Sequence, residues 1–132
     1  MARKEHVSRI RQGVAVWNQW RADNPDVIPD LSEAGLRGLD LTGANLDGAH
    51  LRDADLRGTI LSRANLIRSD LAGANLFKAI VDAADLTGAE LRGARFLDCA
   101  QLTAARNWQA AFRDECLACD APIPESEDPD KP

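Results

Sequence analysis

Aliphatic residues fall at every fifth position through the middle of the chain, with polar and small residues at fixed places between them. With the recurrent aliphatic position taken as i, it reads Leu36, Leu41, Leu46, Leu51, Leu56, Leu61, Leu66, Leu71, Leu76, Val81, Leu86, Leu91 and Phe96. Position i−2 is usually small, as at Ala44, Ala49, Ala54, Ser69, Ala74, Ala84 and Ala89. Position i−1 is mostly polar: Asp40, Asn45, His50, Asp55, Asn65, Asp70, Asn75, Asp85 and Glu90. Position i+2 takes seven of the nine glycines: Gly38, Gly43, Gly48, Gly58, Gly73, Gly88 and Gly93.

A period of five suits neither standard element. Five residues advance an α-helix by about 500°, so the leucines would drift about 140° per repeat and reach every side. A straight strand alternates its faces, and an odd period would send successive leucines to opposite sides. A backbone that runs extended through i−2 and i, then turns about 90°, keeps them all inside. Four such corners close a square, and glycine at i+2 tolerates the positive φ that tight turns demand. Leu36, Leu56, Leu76 and Phe96 then stack in one column, as do Leu46, Leu66 and Leu86 in another. The expected architecture is an all-β solenoid of about 3.5 coils over residues 31–102, about 17 Å tall at the ~4.8 Å spacing of paired strands.

Units such as Ala44-Asn45-Leu46-Asp47-Gly48 and Ala89-Glu90-Leu91-Arg92-Gly93 resemble the motif of the pentapeptide repeat family. That resemblance implies a right-handed quadrilateral β-helix, and the handedness rests on the resemblance alone. The string GVAVWNQWRADNPDVIPDL, residues 13–31, is similar to a leader that precedes the repeats in some bacterial members. The closing segment from Gln101 is likewise similar to that of related repeat proteins.

The ends of a stacked coil expose core and unpaired backbone, so capping is expected on both flanks. Val7, Ile10, Val14 and Trp17 recur at helical spacing, with Trp20 a turn further, predicting an N-terminal capping helix and linker within residues 1–30. Val14, Trp17 and Trp20 are the expected capping side chains; a partner or base-stacking role for the tryptophans is the other reading. After Phe96 the register slips by one. Trp108, Ala111, Phe112 and Cys116 then share a helical stripe, predicting a C-terminal capping helix over residues 103–119, with Trp108 and Phe112 as its capping side chains. Residues 120–132, DAPIPESEDPDKP, carry four of the six prolines and five acids, and are expected to be a disordered acidic tail.

Charge changes this picture little. The net charge of −5 is divided as +1 over residues 1–30, −2 over 31–102 and −4 over 103–132. The basic N-terminus has no apolar signal stretch and no run reaches membrane-span length, while three cysteines make no secreted disulfide framework. A cytoplasmic protein with no membrane role is the expectation. Catalysis would need a cleft and shifted acids, which a convex rod does not offer, and no phosphate loop or Ser/His/Asp set is present. Cys116-x-x-Cys119 lacks a second ligand pair, so no metal or other cofactor is expected; Cys99 is read as a small core residue. Some relatives of this kind imitate B-DNA and bind DNA gyrase, a type II topoisomerase. Here the weak negative charge of the body and its eight interspersed basic residues argue against that, and net acidity argues against binding nucleic acid.

One departure from the repeat remains. Ile60 and Ile80 occupy outward i−1 positions one coil apart, and Phe77 and Leu97 do so at i+1. These four side chains form an expected apolar strip, covered either by the C-terminal helix or by a partner protein or second copy. The reading that results is a non-enzymatic scaffold that binds another protein or itself. Its core is open to test: Leu66→Asp should abolish the cooperative melt followed by circular dichroism, and a retained native melt would contradict an inward Leu66.

Overall fold

The computed structural model describes residues 3–119, so the acidic segment 120–132 lies outside the described residues. Two short helices open the chain, α1 (Lys4–Arg11) and α2 (Val14–Asp23). A coil follows, built from single-residue parallel bridges between positions 20 apart, among them Asn45 with Asn65 and Asn65 with Asp85. A one-turn helix, α3 (Cys99–Thr103), and two 3₁₀ turns (Trp108–Ala110 and Glu115–Leu117) close it. No helix among the described residues is long and apolar enough to cross a membrane.

Each five-residue unit closes a corner. The N–H of residue i+3 donates to the carbonyl of i, as from Ala49 to Leu46 at 3.0 Å and from Ala64 to Leu61 at 3.0 Å. Residue i+2 of every unit from Glu33 to Gly93 holds positive φ, between 56° and 82°. An i to i+3 bond with positive φ at the third residue is the type II pattern, which favours glycine there. Six corners nonetheless carry a side chain: Glu33, Asp53, Arg63, Arg68, Lys78 and Ala83.

Stacked units are joined by a short ladder. Leu46 donates to the Asn65 carbonyl at 2.8 Å and Gly48 to that of Ile67 at 2.8 Å, while Asn65 donates back to Ala44 at 2.9 Å. Four corners per 20 residues place the central residues in four vertical columns. Leu36 through Leu91 are all buried, and the ladder begins one unit earlier than expected, with Leu31 fully buried. The small i−2 residues fill the space beside them. Where that residue is polar its hydroxyl is satisfied: Thr59 donates to the Leu36 carbonyl and Ser69 to that of Leu66, both at 2.8 Å.

Phe96 is the exception to the ladder. It is 63% exposed, with φ of 60°, because the chain leaves the coil after the Arg95–Asn75 bridge and turns outward. Leu102, carried on α3, is the fully buried residue that follows. Asp98 caps α3 reciprocally: its carboxylate accepts from the Gln101 N–H at 2.8 Å, and the Gln101 side chain accepts from the Asp98 N–H at 2.9 Å.

The expected single N-terminal helix is broken at Gly13, whose φ of 113° suits no helix interior. The pair lies beneath the first coil and supplies what a lower coil would have supplied. Trp17, fully buried, donates from Nε1 to the Asn45 carbonyl at 2.8 Å, and Arg21 donates to that of Asp47 at 2.7 Å. Arg11 donates to the Gly35 carbonyl, and the Arg3 N–H to that of Asp30 at 3.1 Å. Downward N–H groups are met too: Asn45 donates to the Asn18 side chain at 2.7 Å and Asp30 to His6 Nδ1 at 2.9 Å. Val14 and Trp20 are half-buried, the latter 5.1 Å from the Trp17 ring and 4.8 Å from His6.

The C-terminal segment is not the expected helix over 103–119. It lies over the last coil as an irregular turn whose carbonyls receive upward N–H groups: Leu86 donates to Arg106 at 3.0 Å, Gly88 to Ala110 at 2.9 Å and Leu91 to Phe112 at 2.8 Å. Exposed backbone donors at the rim outweigh helix propensity. The bridges Asp85–Arg106 and Glu90–Phe112 span 21 and 22 residues, so the turn has slackened by one residue and then another. Phe112 is 53% exposed beneath the Arg92 guanidinium rather than buried in a cap, and Trp108 is half-buried under that of Arg113.

Ala83→Gly should relieve a left-handed alanine costing about 1–2 kcal/mol, less the ~0.5–1 kcal/mol of extra freedom that glycine brings to the unfolded chain. A rise in Tm of about 2–4 °C is expected in a thermal melt; a fall would contradict the corner geometry. Burial, reinforced by Arg3, holds His6 below its ordinary value of 6.5, so the fold keeps it neutral and accepting from Asp30. The unfolded chain takes up that proton more readily. This contact's contribution is therefore complete above pH 6.5 and drains as pH falls toward the folded-state value. Melts between pH 7.5 and 5 should show a slope that His6→Gln flattens.

Candidate functional site

The outward acids and amides are the natural candidates for chemistry, and the geometry gives them another task. In nine units the i−1 side chain reaches the backbone N–H of i+1, the one donor that neither the corner bond nor the ladder uses. Asn45 accepts from Asp47 at 3.2 Å, Asn65 from Ile67 at 3.0 Å, Asp70 from Ala72 at 3.0 Å and Asn75 from Phe77 at 3.1 Å. Asp30, Asp40, Asp55, Asp85 and Glu90 do the same. This is the Asx-type bond that makes Asp and Asn the preferred turn residues. Its signal in sequence is the recurrence of Asp, Asn or Glu at i−1.

Asp30, Asp40, Asp55, Asp85 and Glu90 are correspondingly held below their ordinary carboxylate values. Arg57 bonds both oxygens of Asp55, at 2.8 and 2.7 Å, and lowers its carboxyl to about 2. The Thr42 hydroxyl lowers Asp40, that of Thr87 lowers Asp85 with help from Asn107, and Arg92 lowers Glu90. A general acid needs the opposite shift. No three His, Cys, Asp or Glu side chains among the described residues gather as a metal site. Cys99 and Cys119 form a disulfide with Cα atoms 5.6 Å apart, and Cys116 is exposed and free. The pairing differs from the unpaired set read from sequence, because the closing turn brings Cys119 back to the slip point.

The four sides differ in charge. The side built on Leu36, Leu56 and Leu76 (residues 34–38, 54–58, 74–78 and 94–98) carries Arg37, Arg57, Lys78 and Arg95 against Asp55 and Asp98, a net +2. The next side has Asp40, Arg63 and Asp82, −1, and on the third Asp47 and Asp85 are balanced by Arg68 and by Arg106, bridged above Asp85, for a sum of 0. The fourth, with Asp30, Glu33, Arg52, Asp53, Asp70, Glu90 and Arg92, sums to −3. Both arginines of this side are paired, Arg52 with Asp70 at 3.2 Å and Arg92 with Glu90 at 2.7 Å.

The apolar departures cluster on the basic side and its edge. Phe77 is 48% and Ile80 42% exposed; Ile60, bridged to Ile80, is half-buried. Leu97 is half-buried against the core rather than part of an open strip, and the outward-turned Phe96 stands in its place, 5.7 Å from Phe77 edge to face. The Lys78 ammonium sits 5.4 Å over the Phe77 ring. A depression of about 190 Å³ between Phe77 and Phe96 is walled by Arg57 and Asn75. A second, of about 400 Å³, continues down past Phe77 and Lys78 to Arg57 and Arg37. Beyond α3 the described C-terminal residues form no α-helix, and α3 itself sits beside the strip, its Gln101 side chain donating to the Leu76 and Ala79 carbonyls at 2.9 and 3.1 Å.

Among curated proteins no match is found. The family model described as pentapeptide repeats matches in 8 copies, over residues 30–67 and 69–106. Solved structures similar in sequence include alr5209, a pentapeptide repeat protein from Nostoc PCC 7120. It is 34% identical, with 67% of this chain and 74% of that one covered and a TM-score of 0.41. HetL from the same organism, involved in heterocyst differentiation regulation, is 34% identical over 63% of this chain and 38% of its own, with a TM-score of 0.37. Rfr23 from Cyanothece 51142 is 32% identical over 66% and 58%, with a TM-score of 0.32.

Ile60→Asn with Ile80→Asn would restore the acceptor for the Ser62 and Asp82 N–H groups. The double variant should melt at or above the parent temperature, since each bond regained contributes about 0.5–1.5 kcal/mol. A drop of many degrees would show that the isoleucines serve the fold and not an interaction.

Proposed function

The chain belongs to the pentapeptide repeat family, and from that premise we propose that it is a non-enzymatic, rigid protein-binding scaffold. We infer a right-handed quadrilateral β-helix whose role is to hold one side chemically distinct from the others. The observation that carries this reading is the replacement of capping side chains by Ile60 and Ile80 beside exposed Phe77 and Phe96. Those isoleucines forgo a backbone hydrogen bond that nine other units make with Asp, Asn or Glu. Exposed apolar clusters with a charged rim are the usual form of a protein contact. The partner is another protein or a second copy, and neither membrane nor nucleic acid is needed.

Imitation of DNA toward a type II topoisomerase is the rival. It requires negative charge all round, and the +2 side opposes it. Sedimentation and affinity capture with the parent chain, set against a variant combining Ile60→Asn, Ile80→Asn and Phe77→Ser, test the proposal. The parent should retain a partner or self-associate and the variant should lose it with its melt intact. Equal retention by both would contradict the reading. Inhibition of gyrase supercoiling that survives in the variant would favour the mimic.

A further inference from the structure

We propose that the basic aromatic side is the docking site of the chain's own acidic C-terminal segment, residues 120–132. This rests on the reading of that side as a binding surface and names its occupant.

The point of departure is the first argument. Cys119 is disulfide-bonded to Cys99, Cα to Cα 5.6 Å, and Cys99 lies three residues beyond Phe96. The segment therefore starts within about 17 Å of the Phe96 Cα, at the upper end of the basic side. Thirteen residues extend up to about 43 Å, whereas the four stacked units of that side rise only about 14 Å. The segment is long enough to follow the groove from Phe96 past Phe77 to Arg37.

Charge is the second. The segment holds Asp120, Glu125, Glu127, Asp128 and Asp130 against Lys131, a net −4. Among the four sides only this one carries net positive charge to attract it. The third argument is shape. Ile123 stands between Pro122 and Pro124, which favour an extended chain at little entropic cost, and the hollow beside Phe77 and Phe96 suits one aliphatic residue with its flanking rings. Ile123 would seat there while the later acids run down to Lys78, Arg57 and Arg37. Tethering would give a local concentration in the millimolar range, enough to hold a weak contact and to compete with any partner's acidic peptide.

The test uses the whole 132-residue chain, ¹⁵N-labelled, as parent, as Ile123→Ser, and with Glu125→Gln, Glu127→Gln, Asp128→Asn and Asp130→Asn combined. Amide resonances of Arg37, Arg57, Phe77, Lys78 and Phe96 should move in both variants, while those of Asp47, Arg68 and Thr87 stay. Raising NaCl from 50 to 500 mM should move the same set in the parent, because screening shortens the reach of these charges. Unmoved resonances on the basic side would overturn the proposal, and so would changes spread over all four sides. Sedimentation in parallel identifies the competing occupant: a dimer that Phe77→Ser dissociates and the tail variants do not would place a second copy there. Either failure leaves the binding-surface reading standing, since that depends on what Phe77→Ser, Ile60→Asn and Ile80→Asn release.

Discussion

The corner at every fifth residue is the constraint on which this molecule depends. A left-handed residue at i+2, closed by the bond from i+3 to i, turns the chain inward before a strand can lengthen. That is why the sides are single bridges and not strands, and why an odd repeat can keep one face buried. Glycine supplies the conformation without strain at seven corners. The other six take it with a side chain, at a cost that the ladder above and below offsets.

Once the corner is fixed, the rest is backbone accounting. Each unit has five N–H groups: one closes the corner, three pair with neighbouring coils, and in nine units the fifth is met by the outward Asp, Asn or Glu. Inside, leucine and alanine fill a cross-section too narrow for rings, consistent with the scarcity of aromatic residues. At the lower rim the same groups recur without a coil beneath them, and Trp17, Asn18, Arg21 and His6 answer them. At the upper rim the closing segment does so with its own carbonyls.

The interior was legible because its period is independent of handedness or of exact turn type; Leu36 to Leu91 needed only the spacing. Phe96 keeps the spacing of the ladder yet leaves it, because nothing in the spacing reveals that its own φ turns positive where the register slips. The break at Gly13 is hidden by the 3-and-4 spacing of Val7, Ile10, Val14 and Trp17, which survives it, although the glycine itself is a breaker signal. The closing helix failed for a different reason: unpaired donors on Leu86, Gly88 and Leu91 are a tertiary demand that no local pattern in residues 103–119 displays. Cys99 and Cys119 were beyond reach for the same cause, being adjacent only after the slackened turn has returned. Of the candidate strip, Phe77, Ile60 and Ile80 could be read from their break with the pattern, whereas Phe96 could not.

Function, on this account, is carried by exceptions to a repeat that otherwise spends every group on its own backbone, and those exceptions have meaning only if units 20 residues apart lie directly above one another. The most direct measurement is disulfide formation between introduced cysteine pairs in a Cys116→Ser background, with Asp47→Cys fixed and the second cysteine moved along the chain. Stacking places Ile67→Cys within the ~4.4–6.8 Å Cα separation that a disulfide accepts, and leaves Ser62→Cys on another side and Thr87→Cys a further coil away. Rapid oxidation of the 47/67 pair alone is the predicted result. Equal rates for all three pairs, or a maximum at a separation other than 20, would contradict the coil.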